Sequence, residues 1–138
     1  KKGIRRVLDD MLSELKQGET YFAFGGEGLF RTVMGPFFTA WQQRKKKNKV
    51  HGQVIFSENV LNENGPVIRE FVGEPRFRPA EYSSFTDIWM FHDKVLILIW
   101  TSDPPVAVFI QDPENAKTFQ YQFKLAWKQA KKMPIPKK

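Results

Sequence analysis

The sequence predicts an α/β domain: a mixed β-sheet, parallel in its first half and an antiparallel meander in its second, with helices on both faces. Three observations carry this reading. Helix-period and strand-like apolar runs alternate through the first 80 residues. Three strand-sized runs then follow one another across short turns, as in a meander. A long amphipathic segment closes the chain. With 138 residues, 16.2 kDa and 41% hydrophobic residues, among them 13 Phe and 4 Trp, residues 1–138 fit a single domain able to bury one substantial core.

Each element has its own signal. Ile4, Val7, Leu8, Met11, Leu12 and Leu15 recur at i, i+3, i+4 and i+7, and Gly18 follows, so a helix is expected over Gly3 to Gln17. Thr20 to Phe24 is apolar nearly throughout and stops at Gly25-Gly26, as a central strand buried on both faces would. Pro36 stands well at the first position of a helix reaching about Lys47, with Phe37, Phe38 and Trp41 as its stripe. Val50 to Phe56 reads as a strand, Pro66 to Val72 as a short helix, and Glu74 to Arg78 as a strand ended by Pro79. Phe85 to Phe91, Lys94 to Trp100 and Val106 to Ile110 form the meander. Asp112-Pro113-Glu114 then supplies an N-cap, a first-turn proline and an acid at the positive end of the dipole. Ala116, Phe119, Phe123, Ala126, Trp127 and Ala130 mark the buried face of that last helix, which Pro134 and Pro136 end.

Composition excludes several chemistries. Without cysteine there are no disulfides, thiolate metal sites or cysteine nucleophiles, and a reducing, cytoplasmic setting is expected. The longest apolar run, Val95 to Trp100, is far short of the ~20 residues of a membrane-spanning helix, so no membrane partner is expected. The first residues do not read as a signal peptide, and the absence of an initiating Met predicts a piece cut from a longer chain. Lys and Arg number 22 against 15 acids, a net charge of +7, and the excess sits in Arg44 to Lys49 and in Lys128, Lys131, Lys132, Lys137 and Lys138. The first cluster reads either as a helix end that complements the macrodipole or as a surface for an acidic partner such as nucleic acid.

Motifs of chemistry are sparse. Gly25-Gly26-Glu27-Gly28 follows the first strand, where open α/β sheets place their ligand crevices, but it is neither a dinucleotide fingerprint nor a phosphate loop. The lone histidines His51 and His92 lack metal-ligand spacing, and no serine has a nucleophile-elbow context, so neither metal nor cofactor is expected. His92-Asp93-Lys94 matches the H-x-K half of the phospholipase D motif, but the position of that motif's Asp is Ile99. A tight hairpin turn explains the same three residues.

Order and spacing bring a family into view. The succession Thr86-Asp87-Ile88, Asp93-Lys94-Val95 with the apolar strand to Trp100, Pro105 to Ile110, and a helix carrying Phe119, Phe123 and Trp127 resembles the C-terminal domain of TrmB-type archaeal transcriptional regulators. The Tyr21-Phe22-Ala23-Phe24-Gly25-Gly26 strand and turn and Trp41-Gln42-Gln43-Arg44 extend the resemblance to most of the chain. It implies a phospholipase D-like fold without phospholipase activity. It also implies a homodimer that meets DNA through an N-terminal winged helix lying outside this sequence, and an effector-sensing or dimerisation role. The aromatic surplus of the sequence itself offers Trp89 or Trp100 as candidates for a dimer face.

The residues expected around a crevice at the strand ends are Gly25, Gly26, Glu27, Arg44, Arg78, Thr86, His92 and Lys94, suited to a small anionic or hydroxylated effector. Arg44 and Arg78 stand first among them. Two other classes of function stay open: a dimeric phosphodiesterase or nuclease using His92 and Lys94, and a basic nucleic-acid-binding module working through Arg44 to Lys49.

Overall fold

Every apolar position of the first predicted helix turns inward. Ile4, Leu8, Met11 and Leu12 of α1 (Lys2–Glu14) are buried, and Leu15 continues the stripe just beyond its end. The computed structural model describes residues 2–135; Pro136, Lys137 and Lys138, counted above in the basic tail and the helix stop, lie outside the described residues. Next come β1 (Thr20–Gly26), α2 (Leu29–Met34), α3 (Pro36–Lys47), β2 (His51–Ser57), α4 (Asn59–Glu63), α5 (Gly65–Glu70) and β3 (Glu74–Arg78). A turn of 3₁₀ helix (Ala80–Tyr82) leads to β4 (Thr86–Phe91), β5 (Lys94–Ile99), β6 (Val106–Gln111) and α6 (Pro113–Gln129). The expected elements are all present. The short α2 and α4 and the 3₁₀ turn are additional.

The six strands form one sheet in the order β3-β2-β1-β4-β5-β6. β1, β2 and β3 are parallel, whereas β4 runs antiparallel to β1 and opens an antiparallel meander through β5 and β6. The mixed α/β fold read from the sequence is therefore the observed one. Because β4 reverses direction, its first residue lies with the carboxyl ends of β1 to β3, and the β4–β5 turn lies at the opposite end of the sheet. This reversal decides which side chains share a site.

Each face of the sheet has its own core. On one face α1 to α5 enclose Tyr21, Phe30, Phe38, Trp41, Phe77 and Trp89, with aromatic rings stacked or edge-on at 4.9–6.3 Å. The indole N–H of Trp41 donates to the Leu8 carbonyl at 2.9 Å and ties α3 to α1. On the other face α6 lies alone over Ile55, Met90 and Val95, and Phe123 packs against Phe22 and Phe24. The predicted α6 stripe from Ala116 to Ala130 is the one buried. Trp89 and Trp100, expected at a dimer face, are core residues, each 4% exposed.

Candidate functional site

The eight residues expected around one crevice separate into two groups at opposite ends of the sheet. Arg44, His92 and Lys94 occupy the end where the parallel strands begin. Arg44, in the last turn of α3, forms an ion pair with Asp9 of α1. His92 sits in the two-residue β4–β5 turn at φ +51°, between two carboxylates, with Nδ1 2.7 Å from Glu14 and Nε2 2.8 Å from Glu19. Partial burial disfavours its imidazolium, but the hydrogen bonds to Glu14 and Glu19 outweigh that and raise its pKa above the ordinary histidine value. Lys94 Nζ donates to Glu14 at 2.8 Å and to Asp93 at 2.9 Å, which raises its pKa in turn. Burial works against ionisation of Glu14, yet Lys94 and His92 together hold its carboxyl below the usual range. This network joins the end of α1, the approach to β1 and the meander turn, and it leaves neither ring nitrogen of His92 without a carboxylate partner.

The basic run that begins at Arg44 is also less of a surface than it looked. Lys45 is fully buried, its Nζ donating to Tyr21 Oη at 2.6 Å among the rings of Phe71, Tyr21 and Trp41 at 4.3, 4.9 and 5.2 Å. Burial pushes its pKa well below the ordinary lysine value. Asp87 is buried in the same core, where desolvation pushes its pKa up to about 7 against the hydrogen bond that Trp89 Nε1 donates at 3.1 Å. A cavity of about 20 Å³ between Tyr21, Gln42, Asp87 and Trp89 has room for about one water. It is a mostly apolar interior gap, too small for an organic ligand.

Gly25, Gly26, Glu27, Arg78 and Thr86 gather at the other end, where β1, β2 and β3 finish and β4 starts. Gly26 has φ +51°, and a Cβ there would strike the Ser84 carbonyl oxygen, so only glycine lets β1 press against the 83–84 segment. Glu27 N–H donates to that same carbonyl at 3.1 Å, and the Glu27 carboxylate accepts from the Ser83 hydroxyl and from Asn59 Nδ2 at 3.5 Å. Glu27 is thus a latch for the loop. Gly25 faces the first core against Val54 and Phe56 and does not border the crevice.

Arg78 is the centre of what remains. It borders two open cavities of about 430 and 420 Å³ and a third of about 20 Å³. The larger two form a groove along the flank of α6, with Thr86 and Ile88 of β4 on the floor and Gln122, Leu125 and Gln129 on the helix wall. The Arg78 guanidinium stacks over Phe24 at 5.1 Å, and its burial lowers its pKa. Its neighbour on the same face of β3, Arg76, is already engaged: it lies over Trp127 at 4.2 Å, donates to the Trp127 carbonyl at 2.8 Å and faces Glu74 at 3.7 Å, while its buried Nε has no hydrogen-bond partner among the described residues. Among the described residues, no carboxylate pairs with Arg78.

Sequence reasoning named Arg78 and Thr86 but missed the helix wall. Gln122, Leu125 and Gln129 stand at i, i+3 and i+7 beside the apolar stripe of α6. An exposed leucine between two glutamines on that flank was the available signal.

No protein-family model matches the chain, and no curated protein matches it. Among solved structures it is similar to TrmBL2, an archaeal chromatin protein whose structure shows a novel mode of DNA binding. The TM-score is 0.59 at 11% sequence identity, over 93% of this chain and 49% of that protein. The chain thus spans about half the length of TrmBL2, and the likeness is one of fold.

Proposed function

We propose that this chain is a non-catalytic regulatory domain of a DNA-binding archaeal protein, sensing a small effector in the groove at Arg78 and acting within a homodimer. One observation supports the reading: the fold is similar to that of TrmBL2, with a TM-score of 0.59 over 93% of the chain. The resemblance read from Thr86 to Trp127 points the same way. Two features favour a non-catalytic role. Ile99 stands where the phospholipase D motif needs its acid, and both nitrogens of His92 are held by carboxylates, away from the groove. A phosphodiesterase would need that imidazole free to attack phosphorus.

An effector can change DNA occupancy only by favouring one arrangement of the assembly over another. The natural polypeptide that carries this sequence is the object to test. It should retard duplex DNA in a gel-shift titration, and this chain should release no nitrophenolate from bis(p-nitrophenyl) phosphate. Failure to bind duplex, or hydrolysis lost in His92→Ala, would overturn the reading.

A further inference from the structure

We infer that the groove between α6 and the carboxyl ends of the parallel strands binds a monoanionic organic carboxylate, its head on Arg78 and an apolar body along Ile88 and Leu125. The inference rests on the effector-sensing reading above and names the chemistry of the ligand.

The head is set by charge. The Arg78 guanidinium lies over the Phe24 ring and makes no hydrogen bond among the described residues, and a carboxylate matches the guanidinium fork with two parallel hydrogen bonds. Arg78 is partly buried beside Phe24, so the unpaired cation has already lost part of its hydration, and an arriving anion would relieve that cost. Among the described residues lining the two large cavities it is the one charged side chain, with no lysine, second arginine or acid beside it. One positive charge balances one negative charge. A phosphate monoester, close to a dianion at neutral pH, would be left half neutralised, and sites for it usually gather several donors or cations.

The rest of the wall describes the body of the ligand. Thr86 Oγ1 and the side-chain amides of Gln122 and Gln129 make no hydrogen bond among the described residues, so they are free to orient a ligand through one or two polar groups. Ile88 and Leu125 both line the groove, one from β4 and one from α6, and Leu125 is 58% exposed. An apolar chain of a few carbons laid there would cover Leu125 and gain from its burial. With about 430 Å³ in the larger cavity, the site suits a molecule of metabolite size.

The test is a titration of the ¹⁵N-labelled chain with sodium hexanoate, beside 1-hexanol and hexyl phosphate as partners of equal tail and different charge. Hexanoate should shift the amides of Arg78, Thr86, Gln122 and Leu125 saturably, and bind at least tenfold more tightly than either control. Arg78→Gln should weaken hexanoate at least tenfold and leave hexanol unchanged. Leu125→Glu, on an exposed helix position that cannot disturb the core, should abolish hexanoate binding by placing a like charge at the wall. Any of four results would overturn the inference: no saturable shift with hexanoate, shifts confined to the His92 end, equal affinity in Leu125→Glu, or hexyl phosphate binding more tightly than hexanoate. The regulator reading is judged separately by DNA retardation and phosphodiester hydrolysis, so a failed titration removes the carboxylate and leaves that reading standing.

Discussion

Three side chains hold protons that their neighbours have redistributed, and each makes stability depend on pH. Asp87 is the strongest case. An Asp raised from 3.8 to about 7 is protonated in the fold at pH values where the unfolded chain has already ionised it. The Asp87 contribution to stability is therefore greatest below pH 4, falls as pH rises toward 7, and is flat beyond; at 1.36 kcal/mol per pH unit its full loss is on the order of 4 kcal/mol. Asp87→Asn keeps an acceptor for Trp89 and should abolish that slope, stabilising the chain at pH 8 by about 2–4 kcal/mol in urea melts. His92 is displaced toward the charged form, so its contribution is complete below its unfolded value near 6.5 and disappears as pH rises through the higher folded value. A His92→Gln chain should accordingly lose stability at pH 5.5 and differ less from the parent at pH 9. For Lys45 the proton is disfavoured in the fold, because desolvation opposes the ammonium in its aromatic enclosure. Lys45→Met removes a buried ionisable group and should hold or raise the urea midpoint at pH 6; a loss above about 2 kcal/mol would mean that the ammonium–aromatic contacts are net stabilising.

Among the elements, α3 and β3 were legible from the sequence to the residue, because prolines and glycines mark their ends: Pro36 opens α3, and Pro79 closes β3. α2 and α4 were not legible, for a physical reason. They have six and five residues, and their N-caps, Gly28 and Glu58, make no side-chain capping bond. Nothing local announces them; burial of Phe30, Met34 and Val60 against the sheet holds them in place. α6 shows the contrary case. The Asp112 side chain accepts from the Asn115 N–H at 2.8 Å and forms the cap that its sequence promised. Asp112→Ala should cost about 1 kcal/mol in thermal unfolding, and Asp112→Ser should recover most of it.

At the scale of the molecule, what the sequence could not reveal was how the parallel half and the meander join. Periodicity identified six strands and a meander, but it does not say that β4 lies antiparallel beside β1. That one reversal sends His92 and Lys94 to the far end, where Glu14 and Glu19 take them up, and brings Thr86 to Arg78. Gly26, Arg78 and Thr86 were expected near one another and do share one end of the sheet, because they belong to strand ends whose direction could be inferred. His92 and Lys94 belong to a hairpin whose position depends on long-range pairing, and Arg44 to a helix end beside α1. The strand reversal also divides the chain by the sequence distance its contacts must span. β4, β5, β6 and α6 are neighbours along the chain as well as in space, whereas β1 waits more than sixty residues for β4. Closing short loops costs less entropy than closing long ones, so the meander is expected to assemble before the parallel half. Pulse-labelled hydrogen exchange during refolding should find β5 amides protected ahead of those in β3. The groove at Arg78 then exists only once the last crossover has closed, so during synthesis or refolding ligand competence becomes a late timestamp of folding.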